Sequence, residues 1–238
     1  MILKNRNRIL ALGIVFVVLM PLLGLAGQDD DNEAKVKEAV AQSVKAAKVF
    51  DEIMHAPDQS IPQDLVRRAK AIAVFPQVIK AAFVVGAEGG RGVVTRRMSG
   101  GWSSPVFFRA GGGSVGPQIG ASATDIVLLF MNDDAVGGLM KDRFELGAEA
   151  AVAGGPVGRE AGAGTDALMY AKILSYSRSR GLFAGVNLKG VVIKPEDDLN
   201  EALYHRTAHE LLADEKRKPD TRSELAAFPQ AVSRYADQ

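Results

Sequence analysis

The sequence predicts an α+β protein, a curved glycine-rich antiparallel β-sheet or partial barrel with amphipathic helices packed on it. Three observations carry this. Apolar residues alternate at period two in short runs between positions 71 and 131 and again between 146 and 193. The 25 glycines concentrate in the same stretches, where glycine marks bends, bulges or the close approach of another backbone. Outside them, apolar residues recur at spacings of three and four, the signature of helices with one buried face.

The first 26 residues read as an export signal. Lys4, Arg6 and Arg8 precede an apolar run from 9 to 23, and Gly24, Ala26 and Gly27 stand before the acidic 29–31. Cleavage is expected after Ala26; the run is also near the ~20 residues that span a bilayer, so an uncleaved inner-membrane anchor stays open. Export predicts a periplasmic or secreted product. The chain has no cysteine, which rules out disulfides and a lipid-modified amino-terminal cysteine. Without the three basic residues of the leader the rest is slightly acidic, so bulk charge gives no case for nucleic acid.

Residues 33–56 predict an amphipathic helix, with Val36, Val40, Val44, Ala47, Phe50 and Met54 inward and Lys35, Lys37, Lys45 and Lys48 between them. Ser60 is expected to cap a second helix carrying Pro62 and Asp64 at its start and Arg67, Arg68 and Lys70 at its end. Strands are then expected over 71–75, 82–87, 92–97, 102–109, 118–123 and 126–131. The glycine clusters 88–91, 99–101 and 111–113 read as their reversals. Asn132, Asp133 or Asp134 caps a helix reaching about Phe144. A second β section follows, in which 175–190 reads as a strand with Leu182, Ala184, Val186 and Leu188 on one face and Ser175, Ser177, Ser179 and Asn187 on the other. Asp197 or Asp198 caps a last helix through Leu212, and 214–238 is expected to be a polar, loosely packed tail with a short helix before Pro229.

The chemistry-bearing motifs are weak. Gly112-Gly113-Ser114-Val115-Gly116 fits the nucleophile-elbow pattern, with His205 and His209 downstream as bases. An elbow needs a helix after its serine, and here Pro117 leads into more β-like sequence. His205 and His209, four apart, have the spacing of a metal pair but no third ligand, so no metal is expected. No cofactor is expected either: the glycines of 86–92 lack the Lys-Ser/Thr ending and the following helix of a phosphate loop. Trp102, the single tryptophan, reads as a core or rim anchor.

Several blocks in fixed order resemble the SYLF domain family: Ala69-Lys-Ala-Ile-Ala-Val-Phe-Pro76, Ile79-Lys-Ala-Ala-Phe-Val-Val-Gly86, Gly101-Trp-Ser-Ser-Pro105, Gly116-Pro-Gln-Ile-Gly120 with Thr124-Asp125, Gly155-Pro-Val-Gly158, and Tyr176-Ser-Arg-Ser-Arg-Gly-Leu-Phe-Ala-Gly185. The resemblance implies a lipid-binding module, described also as an actin-binding module in fungal actin-patch proteins. It divides the chain into a leader (1–26), a SYLF-like domain (27–213) and a tail (214–238). Its expected function is non-enzymatic association with anionic phospholipid, or another amphiphile, at a membrane surface, with Lys45, Lys48, Arg67, Arg68, Lys70 and Lys80 as the contact. An export signal sets actin and phosphoinositides aside as ligands and favours bacterial-type anionic phospholipids. The alternatives are an envelope scaffold that binds protein and a serine hydrolase using Ser114.

Overall fold

The computed structural model describes residues 23–56, 59–158, 170–179, 182–215 and 224–237; most of the expected leader lies outside them. The architecture is α+β, a curled sheet braced by helices. Its spine is a two-stranded ribbon, β1 (Ala71–Met98) against β3 (Val106–Phe130), paired antiparallel from Ala71↔Phe130 to Val94↔Val106. β2 (Gly101–Trp102) returns the ribbon at the Ser99-Gly100 turn. β6 (Ile173–Ser179) extends β3, β7 (Leu182–Gly185) pairs with β6, and β8 (Val192–Pro195) pairs with the other part of β3 and with β4 (Phe144–Glu145). One pair departs from the antiparallel expectation: β5 (Val152–Gly154) runs parallel to β6.

The glycine clusters at 88–91 and 111–113 are not reversals. They lie inside the ribbon and face each other, Glu88 opposite Gly112, Gly89 opposite Gly111 and Arg91 opposite Arg109. Their function is curvature. The ribbon bends until the two ends of β1 meet, where the Arg97 N–H donates to the Lys70 carbonyl at 2.7 Å. Bending brings the Phe75 ring so close to Gly92 that a Cβ there would stand 2.2 Å from it. A side chain at 92 is therefore excluded.

Helix α1 (Leu23–Met54) buries Ala39, Ser43, Ala46, Val49, Phe50 and Ile53 against the sheet and the last helix. Ala47 and Phe50 of the expected stripe are buried and Val40 and Met54 pack at its edge, but Val44 is exposed and Ser43 takes the inward place. The cause is a distant hydrogen-bonding demand. Ser43 Oγ donates to the Leu225 carbonyl at 2.6 Å and accepts from the Phe228 N–H at 3.2 Å, capping from outside a helix whose own N-cap, Ala226, has no side chain to do so. α2 (Gln63–Arg68) begins after Pro62, with no Ser60 cap, and Arg97 donates to the carbonyls of Arg67 and Ala69 at its end.

α3 (Asp133–Leu139) is capped by Asn132, which accepts from the Ala135 N–H, and it stops short of Phe144, which enters β4. The expected helix from 197 to 212 is two helices, α4 (Asp197–Tyr204) and α5 (Ala208–Ala213). His205 breaks them with a left-handed φ of 54°, and Thr207 restarts the chain with a capping box to Glu210. The described end of the tail, 224–237, is not loose: α6 (Ala227–Ala236) contains Pro229 and buries Phe228, Pro229, Ala231 and Val232, with Phe228 edge-on to Phe50 at 6.2 Å. The face assignment of 182–188 is reversed at its start. Phe183 is buried and stacked on Tyr176 at 5.4 Å, while Leu182 and Ala184 are exposed.

Candidate functional site

Two charged recesses open on the surface, one of them lined by α1. The first, about 450 Å³, is lined by Lys45, Lys48, Val49 and Glu52 of α1, Gln77 of β1, Ala123 and Asp125 of β3, and Arg178 of β6. Its local cause is a bulge between Phe75 and Val78 that leaves Gln77 at φ 52°. Asp125 holds that backbone by accepting from the Gln77 N–H at 2.9 Å, while the Gln77 side chain accepts from Lys45 Nζ at 2.5 Å. Arg178 locks the floor, donating to Asp125 at 2.8 and 3.0 Å and pairing with Glu52 at 2.7 Å. Burial works against its charge, but hydrogen bonds to Asp125 and Glu52 hold its pKa above the ordinary arginine value.

The second recess, about 620 Å³, includes Arg109, Gly111, Arg143, Lys194, Glu196 and Asp198 in its lining. Glu196 is 5% exposed and carries Arg109 at 2.6 Å and Arg91 at 2.9 Å on one oxygen. The other oxygen is buried with no hydrogen-bond partner. The Glu196 hydrogen bond holds the Arg109 guanidinium above its ordinary pKa. Arg91 also pairs with Glu38, so this cluster too reaches α1.

The six basic residues expected at a lipid contact separate into groups. Lys45 and Lys48 line the first recess together. Arg67, Arg68 and Lys70 sit at the end of α2 and the turn into β1, exposed and outside that lining, with Arg67 paired to Asp64. Lys80 lies on β1 with its backbone opposite Ser122, and its side chain is outside the described atoms. Sequence reasoning missed Gln77 and Arg178 as partners of Lys45 and Lys48, and missed the Arg91–Glu196–Arg109 cluster entirely. Arg178 and Asp125 both stand in the resembling blocks, but only the register Asp125↔Arg178 gives them a shared role.

Catalytic arrangements find no support in the geometry described. Ser114 lies inside β3 with its backbone paired to Gly86, so the strand-turn-helix of an elbow is absent there. His205 ends one helix and His209 belongs to the next, which removes the shared helix face. Among the described residues no group of three or more His, Cys, Asp or Glu is placed to hold a metal. Trp102 is a buried anchor, with the Arg97 guanidinium 4.4 Å from its ring centre.

Curled ribbon, bracing helices and two charged recesses define an α+β module built around one bent strand pair. The family model described as Las17-binding protein actin regulator, Ysc84, matches residues 111–232, and the chain belongs to this Ysc84 (SYLF) family. It is 34% identical over 195 residues to the SH3 domain-containing YSC84-like protein 1 of Xenopus laevis, covering 78% of this chain and 58% of that protein. The LAS seventeen-binding protein 3 of Saccharomyces cerevisiae (strain ATCC 204508 / S288c) is 34% identical over 191 residues, covering 78% and 40%. The human SH3 domain-containing YSC84-like protein 1 is 32% identical over 198 residues, covering 81% and 58%. The chain thus spans about half the length of the curated relatives it matches. These relatives are named as binding or SH3 domain-containing proteins, not as enzymes.

Proposed function

We propose that this is an exported, non-enzymatic module that binds anionic phospholipid surfaces through Lys45, Lys48, Arg67, Arg68, Lys70 and Lys80. The observation that supports it best is the division of α1. Its apolar face is occupied by the sheet and α6, whereas Lys45 and Lys48 stand exposed at an open recess. The contact is therefore peripheral and made through exposed groups, not an insertion of the helix's buried apolar stripe. No helix among the described residues is long and apolar enough to cross a membrane. Placement in the periplasm or outside the cell rests on the leader. The mass of the exported protein tests cleavage after Ala26.

Co-sedimentation of the full chain with phosphatidylglycerol-containing and pure phosphatidylcholine vesicles tests the reading. Retention on the anionic vesicles alone, lost at high salt, is expected; equal behaviour on both sinks it. Glutamate at Lys45, Lys48, Arg67 and Arg68 lowers retention while leaving thermal stability nearly unchanged, since these groups are exposed. The names of the relatives favour a second reading, a protein-binding module, and bring actin back as a partner to be tried. Actin co-sedimentation without lipid separates the two.

A further inference from the structure

Two large apolar side chains are out in solvent beside the first recess. Val44, which the helical period would place inward, is 45% exposed, and Ile79 on β1 is 58% exposed. Both positions follow from features already described. Ser43 takes the inward place next to Val44 in order to bridge to α6, and the bulge at Gln77 turns Ile79 outward two residues later. Each adjoins a residue of the recess lining. Val44 lies one helical turn before Lys48 and next to Lys45, whose Nζ reaches Gln77, while Ile79 pairs with Ala123 of the recess wall.

The recess has three cations and two carboxylates, and Arg178 is engaged by both carboxylates. The lysines, Lys48 at 3.9 Å from the exposed Glu52 and Lys45 on the Gln77 amide, lie outward of that floor and face an approaching surface. Isolated exposed apolar residues need no explanation. A valine and an isoleucine on different elements, both beside lysines and held over a rigid ion-paired floor, match the layered chemistry of an anionic bilayer: phosphates for the ammonium groups, acyl-boundary methylenes for the apolar tips.

We propose that the recess between α1 and the β1 bulge is the part of the molecule that docks on an anionic bilayer. Val44 and Ile79 enter the headgroup layer, and Lys45 and Lys48 rest on phosphates. This rests on the lipid-binding reading and narrows it: the α2 cluster of Arg67, Arg68 and Lys70 adds only distant attraction. The partly buried Asp125–Arg178–Glu52 cluster positions the wedge from beneath.

The test uses the full chain on phosphatidylglycerol/phosphatidylcholine vesicles, with phosphatidylcholine vesicles as the reference. The variant Val44→Ser/Ile79→Ser is expected to lose about tenfold in partitioning onto the anionic vesicles. Leu182→Ser, which removes a 72% exposed apolar side chain on β7, outside the recess lining and beside neither Lys45 nor Lys48 in the chain, is expected to leave partitioning unchanged. Ile79→Trp supplies a second readout, because its emission shifts to the blue on anionic vesicles while that of buried Trp102 does not. Wild-type binding with no loss in the double variant and no shift at position 79 overturns the docking geometry and leaves the lipid reading standing. Absence of any anionic preference in the wild type overturns both.

Discussion

The two ion clusters that hold α1 are inversions of each other. At one, a nearly buried carboxylate, Glu196, gathers Arg91 and Arg109; at the other, a partly buried guanidinium, Arg178, gathers Asp125 and Glu52. The helix joins both, through Glu38 at its front half and Glu52 at its rear. Inversion changes what each cluster risks. Glu196 without its arginines is an uncompensated charge in the interior, whereas Asp125 and Glu52 without Arg178 retain some contact with water. The first cluster is therefore a structural rivet, while the second braces an open, lysine-edged recess.

The largest effect expected from breaking this contrast is in Arg91→Ala/Arg109→Ala. Stranding Glu196 costs about 3 kcal/mol, or roughly 6–12 °C in melting temperature; an unchanged melt means the carboxylate needs no counter-charge. Arg178→Ala is expected to cost about 1–2 kcal/mol and, by loosening the recess floor, to weaken vesicle retention as well. Equal losses in the two variants erase the distinction between them. Thr207→Ala removes the capping box that follows α4 on the Glu196 side and costs about 1 kcal/mol by denaturant melting.

Smallest is Tyr176→Phe, two residues from Arg178. The Tyr176 hydroxyl is buried with no hydrogen-bond partner, so its loss is expected to change stability by less than about 0.5 kcal/mol at neutral pH. Burial raises the pKa of that phenol above its ordinary value. Its folded form holds the proton after the unfolded form has released it, so stability is complete below about pH 10 and declines as pH rises beyond it. The phenylalanine variant is expected to decline less steeply, and an identical alkaline limb removes Tyr176 as its source.

Local signals made the helices legible. Asp64 in the first turn of α2, Arg67 and Arg68 in its last, and Asn132 as the cap of α3 all stand where short-range rules put them. The ribbon was legible only in part. Gly89 and Gly111 have the same local look in a turn or in a bent strand, and their cross-strand pairing decides between the two. Burial of Ser43 in place of Val44 depends on backbone groups more than 180 residues away, beyond any periodicity. At the site the exposed lysines were readable from the helix period. Gln77, Asp125 and Arg178 come from three strands, and only the register and the bulge bring them under Lys45.

The external cap that Ser43 places on α6 also constrains how the chain reaches its native state. Phe50 cannot be covered, nor the Leu225 carbonyl satisfied, until the last fifteen or so residues are available to pack. Contacts of such long sequence separation form late and at high entropic cost. A nascent chain stopped after α5 would hold its first helix against an unfinished core. Completion of this module is thus set by residues 225–236, and emergence of the ribbon alone does not let α1 settle.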